Sequence, residues 1–214
     1  MVTSCDSKKK KLAQEQAVAI AKNDIVKGVR EVAEQGDADA QFCLGDYYAQ
    51  GEGVAKDEVE SAKWYRKSAE QGNTSARSNL GYCYENGKGV EKDNVEAVKW
   101  YRLAAEQGLA NAQFNLGARY GIGEGVVKDN VEAVKWFRLA AEQGLDLAQF
   151  NLGYCYSNGE GVAKDAVESY KWYSIAAVSG NKEAAHNREI IVKKMSPDQI
   201  AEAQRLSREW KPNK

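Results

Sequence analysis

The chain has 214 residues, 43% of them hydrophobic, which is enough for one continuous core. Its 30 basic and 31 acidic residues leave a net charge of −1, so no global field favours nucleic acid or an anionic membrane. No apolar run approaches the ~20 residues that a membrane-spanning helix needs.

In chain order, residues 1–11 read as a disordered polar tail or a tether, with the run Lys8 to Lys11 solvated. Val2-Thr3-Ser4-Cys5 resembles the end of a bacterial lipoprotein signal, in which small residues precede a cysteine that is cleaved and acylated. Such a signal needs a charged start and about 7–15 apolar residues before that point. The expectation is therefore conditional. Cys5 is the lipidation site of a periplasm-facing lipoprotein if an upstream segment belongs to the chain, and the chain as it stands reads as cytoplasmic. Membrane contact is expected only through that lipid. Residues 12–32 read as an N-terminal capping helix region. Asp24 to Gln35 has the pattern of the second helix of the units that follow, with Gly28 where those carry Trp.

From Ala33 to Ala176 one 36-residue unit runs four times without insertion or deletion, as residues 33–68, 69–104, 105–140 and 141–176. Ala33-Glu34-Gln35-Gly36 returns at Ala69, Ala105 and Ala141, and Leu44-Gly45 at Leu80, Leu116 and Leu152. Gly51-x-Gly53-Val54 returns at Gly87, Gly123 and Gly159, and Lys63-Trp64 at Lys99, Lys135 and Lys171. A unit of this length is one supersecondary element that cannot bury its apolar face alone. Stacked copies predict an all-α fold, an α/α superhelix or solenoid of helix-turn-helix repeats.

Each unit reads as two helices. The first spans roughly Ala38 to Gln50, with Ala40, Leu44 and Tyr48 on one face, Gly45 permitting a close neighbour, and Gly51 ending it. The second opens at Asp57, which has capping-box spacing with Glu60, and the pair recurs at Asp93, Asp129 and Asp165. Val59, Ala62, Trp64, Tyr65 and Ala69 are expected to be its buried side, and Gly72 closes it. Four Gly-x-Gly-Val copies that follow helices read as structural turns, because nucleotide-binding loops follow strands. Trp at a fixed slot reads as inter-helix core rather than a cation or sugar site. Cys43, Cys83 and Cys155 read as reduced, small apolar side chains. Cys83 and Cys155 share a slot two repeats apart, too distant to bond.

Residues 177–214 read as a partial fifth repeat and a C-terminal capping helix. Asn181 to Asn187 begins another first helix, and Arg188-Glu189 then replaces Leu-Gly. Ser196-Pro197-Asp198-Gln199 is a helix start with a capping box. Ile200, Ala203, Leu206 and Trp210 make an apolar stripe to cover the last repeat.

These residues resemble the Sel-one-like repeat, a relative of the tetratricopeptide repeat. The carriers are Ala40, Leu44-Gly45, Tyr48, Gly51-x-Gly53-Val54, Asp57, Ala62, Trp64-Tyr65 and Ala69-Glu70-Gln71-Gly72 with their copies. Met195 through Trp210 resembles the ending common in bacterial members. The resemblance implies an adaptor or scaffold in signalling, envelope or host-facing complexes, and it does not imply catalysis. A branch of the family that binds β-lactams or cell-wall fragments carries a disulfide in each repeat. This chain lacks those paired cysteines.

Comparison among the copies separates two stripes on the first helix. The Ala-Leu-Tyr stripe hardly changes. The opposite one runs Asp39, Phe42, Asp46, Gln50, then Ser75, Ser78, Tyr82, Asn86, then Asn111, Phe114, Ala118, Ile122, then Leu147, Phe150, Tyr154, Asn158. In related helical repeats the first helix lines the concave groove. Phe42, Tyr82, Phe114, Phe150 and Tyr154 are expected as apolar anchors there, with Asp46 and Ser78 beside them. Asn79, Asn115 and Asn151 would form an amide ladder for an extended backbone, and Arg119 would meet a carboxylate. The alternative is that the aromatics pack between successive first helices and the Asn residues cap local backbone; the sequence leaves both open.

The functional expectation is a non-enzymatic scaffold that holds a peptide or protein segment in this groove. The alternative is an envelope lipoprotein that binds a small molecule or cell-wall fragment. No catalytic or metal-ligating set is expected: His186 is the only histidine, it takes the slot of Phe150 in a terminal helix, and the cysteines are dispersed. No cofactor and no nucleic acid are expected. The sequence leaves the partner's identity and the oligomeric state open.

Overall fold

The computed structural model describes residues 22–213. Cys5, Lys8 to Lys11 and the start of the expected capping region lie outside these described residues. Eleven helices and no strand are found among the described residues, which places the fold in the all-α, helical-repeat class. They divide into two compact units between Asp93 and Asn94.

The first unit holds α1 (22–34), α2 (Ala38–Gln50), α3 (Glu58–Glu70) and α4 (Thr74–Asn86). Val26 and Ala33 of α1 pack with Leu44 and Trp64 in one buried cluster. Gly45 lets α2 lie on α3, since a Cβ there would stand 2.6 Å from the Tyr65 ring. The second unit holds α5 (Asn94–Glu106), α6 (Ala110–Ile122), α7 (Asn130–Glu142), α8 (Asp146–Asn158), α9 (Ala166–Val178), α10 (Lys182–Val192) and α11 (Pro197–Glu209). Its core runs from Ala133, Val134 and Phe137 through Leu152 and Tyr156 to Trp172.

The turns are held by what they touch. Gly125 has φ +73°, and a Cβ there would stand 2.0 Å from the Asn94 carbonyl oxygen. The second glycine of the Gly-x-Gly turn thus seats the turn on the start of the preceding second helix. Gly89 does the same to Glu58, and Gly161 to Asn130. This covers the backbone of Val59 but not its side chain, which is 50% exposed and not part of the buried side expected for it. Trp64, Trp100 and Trp172 are buried, whereas Trp136 is half-buried.

The aspartate caps are formed, but not as boxes. Asp57, Asp129 and Asp165 each accept two backbone N–H groups of the first turn. Their own N–H groups donate to the carbonyls of Tyr48, Tyr120 and Tyr156 at 2.9–3.0 Å. The third-position glutamate has no donor left to meet, and Glu60, Glu132 and Glu168 pair instead with Lys63, Lys135 and Lys171. Only Ser196 and Gln199 form the reciprocal box among these helix starts. α11 lies on α9, with Trp210 edge-on to Trp172 at 6.0 Å.

Among the described residues, Cys43, Cys83 and Cys155 are free thiols. Cys83 and Cys155 are buried, which pushes each thiol up to about 11. Cys43 is exposed, so it is not the apolar filler its sequence slot suggests.

Candidate functional site

The same recess forms at equivalent positions in the two units. In the first, α2, α3 and α4 enclose about 270 Å³ between Asp46, Ser61, Tyr65, Asn79, Tyr82 and Lys88. In the second, α6, α7 and α8 enclose about 210 Å³ between Ala118, Ile122, Ala133, Phe137, Asn151 and Tyr154. The Asn–x–x–Tyr–Cys edge is common to both, from Asn79 to Cys83 and from Asn151 to Cys155. The walls differ. Asp46, Gln50, Ser61 and Tyr65 of the first become Ala118, Ile122, Ala133 and Phe137 of the second.

The first recess is polar. Tyr65 donates its hydroxyl to Asp46 Oδ1 at 2.5 Å, and Asn79 donates to the same oxygen at 3.3 Å. Loss of hydration raises the Asp46 carboxyl above the ordinary aspartate range, against the lowering effect of the Tyr65 bond. Burial, then the Asp46 bond, also raises the Tyr65 phenol. Lys88 donates to the Tyr82 hydroxyl at 3.1 Å and lies over that ring at 4.8 Å from its centre. The second recess has an apolar floor, and Asn151 turns back to the carbonyl of Leu147 at 2.8 Å.

A third recess of about 230 Å³ lies between α8, α9 and α10, with Tyr173, Asn187 and Ile190 in the equivalent slots. Asn187 continues the Asn series one repeat beyond Asn151 and bonds Tyr173, whose phenol burial pushes up to about 12. The sequence signal for Asn187 was its 36-residue spacing, masked by the loss of Leu-Gly beside it.

Of the residues expected on the partner-facing stripe, Asp46, Asn79 and Tyr82 come together in the first recess, and Asn151 and Tyr154 in the second. Tyr82 is 46% and Tyr154 43% exposed. Phe42, Phe114 and Phe150 are half-buried against the rings of Tyr65, Phe137 and Tyr173, at 5.7–6.0 Å. Each of these ring contacts is made to the second helix of its own repeat. Ser78 is buried, and Asn115 is half-buried. Arg119 lies within 2.6 Å of Glu124, a carboxylate of this chain. His186 is exposed, and among the described residues no group of His, Cys, Asp and Glu could hold a metal ion.

A second ladder has no role in the sequence reading. Arg30, Arg102 and Arg138 donate to Tyr48, Tyr120 and Tyr156, each eighteen positions later, at 2.5–2.7 Å, and Arg66 donates to Tyr84. Each guanidinium also lies over its tyrosine ring. The Tyr48 slot is therefore a polar tie as well as packing.

The Sel1 repeat matches four times, at residues 38–73, 74–109, 110–145 and 146–181. The chain belongs to the Sel1 repeat family. The matched units share the 36-residue period and start at the first helix, five residues beyond the division read from the sequence. A solved protective antigen of uropathogenic Escherichia coli with an SLR fold is 47% identical, with a TM-score of 0.73 over 74% of this chain and 34% of that one. A Sel1 repeat protein of Oxalobacter formigenes is 34% identical, with a TM-score of 0.73 over 79% of this chain and 50% of that one. The chain thus spans between a third and half the length of these two relatives. A Sel1 repeat protein of Klebsiella pneumoniae, 21% identical with a TM-score of 0.50 over 78% of this chain and 83% of that one, shares the fold. None of the curated proteins matches the sequence. Sel1-repeat proteins are in general protein-interaction scaffolds.

Proposed function

We propose that this chain is a non-enzymatic interaction module that holds a peptide or protein segment at the first-helix recess of each unit. One observation carries the reading. The repeated framework is constant, yet the recess it forms changes from polar in the first unit to apolar in the second. Packing alone accounts for the buried Cys83 and Cys155 of the constant edge. It does not account for half-exposed Tyr82 and Tyr154 standing beside cavities of different chemistry. Aromatic side chains at the rim of such a cavity are the common anchors of protein recognition. The first recess suits a polar or charged side chain, and the second an apolar one.

Random peptides displayed on phage and selected on the full chain test this. Tyr82→Ala and Tyr154→Ala remove exposed rings and should melt within a few degrees of the wild type. Selected peptides should lose at least about tenfold in affinity to one or both variants, about 1.4 kcal/mol. Peptides that bind both variants as tightly as the wild type would place recognition elsewhere. Muropeptides that bind at the recesses where no peptide does would favour a cell-wall ligand.

A further inference from the structure

The last repeat breaks three rules that its predecessors keep. The second-helix arginine that ties to a tyrosine, as Arg102 to Tyr120 and Arg138 to Tyr156, is Ser174, and the tyrosine is Val192. The leucine of the Leu-Gly pair, fully buried as Leu116 and Leu152, is Arg188. A recess of about 380 Å³ opens there, lined by Ser174, Ile175, Val178, Arg188, Ser207 and Arg208.

The chemistry of this recess is incomplete. Ser174 is only 7% exposed, and its Oγ has no hydrogen-bond partner. Buried hydroxyls are almost always paired. Arg188 and Arg208 reach into the same space, and neither has an ion pair or hydrogen bond among the described residues. An arginine in a leucine slot loses packing, and two guanidiniums beside an apolar wall are matched to an organic anion. Ile175 and the 89% exposed Val178 give the recess an apolar side, open to solvent.

We propose that this recess is a carboxylate-binding site. The Arg188 and Arg208 guanidiniums take the charge, the Ser174 hydroxyl donates a further hydrogen bond, and the Ile175–Val178 side covers the hydrocarbon that bears the carboxylate. Planar two-point contact is what a guanidinium offers a carboxylate. An apolar wall beside it favours an organic acid over inorganic phosphate. The same chemistry is carried by a free aliphatic acid and by the C-terminal residue of a peptide.

The full chain, labelled with ¹⁵N, is titrated with hexanoate, with acetyl-Gly-Gly-Leu as free acid and as amide, and with inorganic phosphate. Hexanoate or the peptide acid should shift amides between residues 170 and 208 in a saturable way, with the peptide amide at least tenfold weaker than the acid. Whichever of the two binds more tightly identifies the source. Arg188→Leu restores the residue of every upstream repeat, so it should melt at or above the wild type and bind the acid at least tenfold more weakly. Arg208→Ala, on the exposed side, should give a comparable loss without touching the core. No saturable shift, shifts that survive both substitutions, or phosphate binding as tightly as hexanoate would each overturn the assignment.

Discussion

Asn79 and Asn151 stand in the same slot and do different work, because the carboxylate and the ring opposite them differ. Tyr65 and Asn79 both donate to Asp46, whereas Phe137 has no hydroxyl, Ala118 takes the Asp46 slot and Asn151 bonds its own helix. Ala118→Asp combined with Phe137→Tyr should therefore draw Asn151 off the Leu147 carbonyl, seen as a shift of its side-chain amide resonances. The carboxyl of Asp46 has a direct consequence for stability. Its pKa is raised in the fold above the ordinary value, with loss of hydration as the cause. Between the unfolded and folded values the folded state binds more protons, so stability falls as pH rises through that window. Asp46→Asn keeps an acceptor for Tyr65 and removes the charge. Urea denaturation should find the variant more stable than the wild type at pH 7. The difference should shrink toward pH 3, below the ordinary aspartate value of about 3.9. An equal difference at both pH values would refute the desolvation account. None of this was legible in the sequence, since a slot comparison shows which residues vary but not which oxygen a hydroxyl finds.

At the scale of the element, the two-helix unit was legible nearly to the residue: α2 begins at Ala38 and ends at Gln50, as the Leu-Tyr spacing and Gly51 predict. The exceptions are cases where a second element competes for the same group. Asp57 spends its N–H on the Tyr48 carbonyl, so Glu60 turns outward to Lys63. Val59 is exposed because a turn covers its backbone instead. The turn glycines make a sharp comparison. Gly108 has φ +92° and open space around a Cβ, whereas Gly125 has φ +73° and a backbone carbonyl 2.0 Å from that position. Gly108→Ala should cost about 1–2 kcal/mol, the price of a left-handed alanine. Gly125→Ala must also displace the start of α5, and should cost above about 4 kcal/mol in chemical denaturation.

In the whole molecule, the repeat class follows from a period without insertions. Trp210 packs edge-on to Trp172, and Asn213 donates to the Glu142 carbonyl at 2.7 Å, so the C-terminal segment is tied to both α9 and α7. The start of α11 is legible in the sequence through Ser196, Pro197 and the apolar stripe. The sequence does not reveal the recess at Arg188, because a broken repeat reads as an ending until the side chains around it are placed. In a stack of nearest neighbours, removing the Trp210 contact should loosen the adjacent helices first. Trp210→Ala leaves Trp172 without its ring partner, and should cost about 2–3 kcal/mol, somewhat less than a fully buried Trp→Ala change. Hydrogen exchange followed by mass spectrometry should show the largest loss of protection in α9, α10 and α11, and a smaller one in α6 and α7. A uniform loss across α5 to α11 would instead make the second unit one cooperative block, in which Trp210 stabilises the whole core rather than its end.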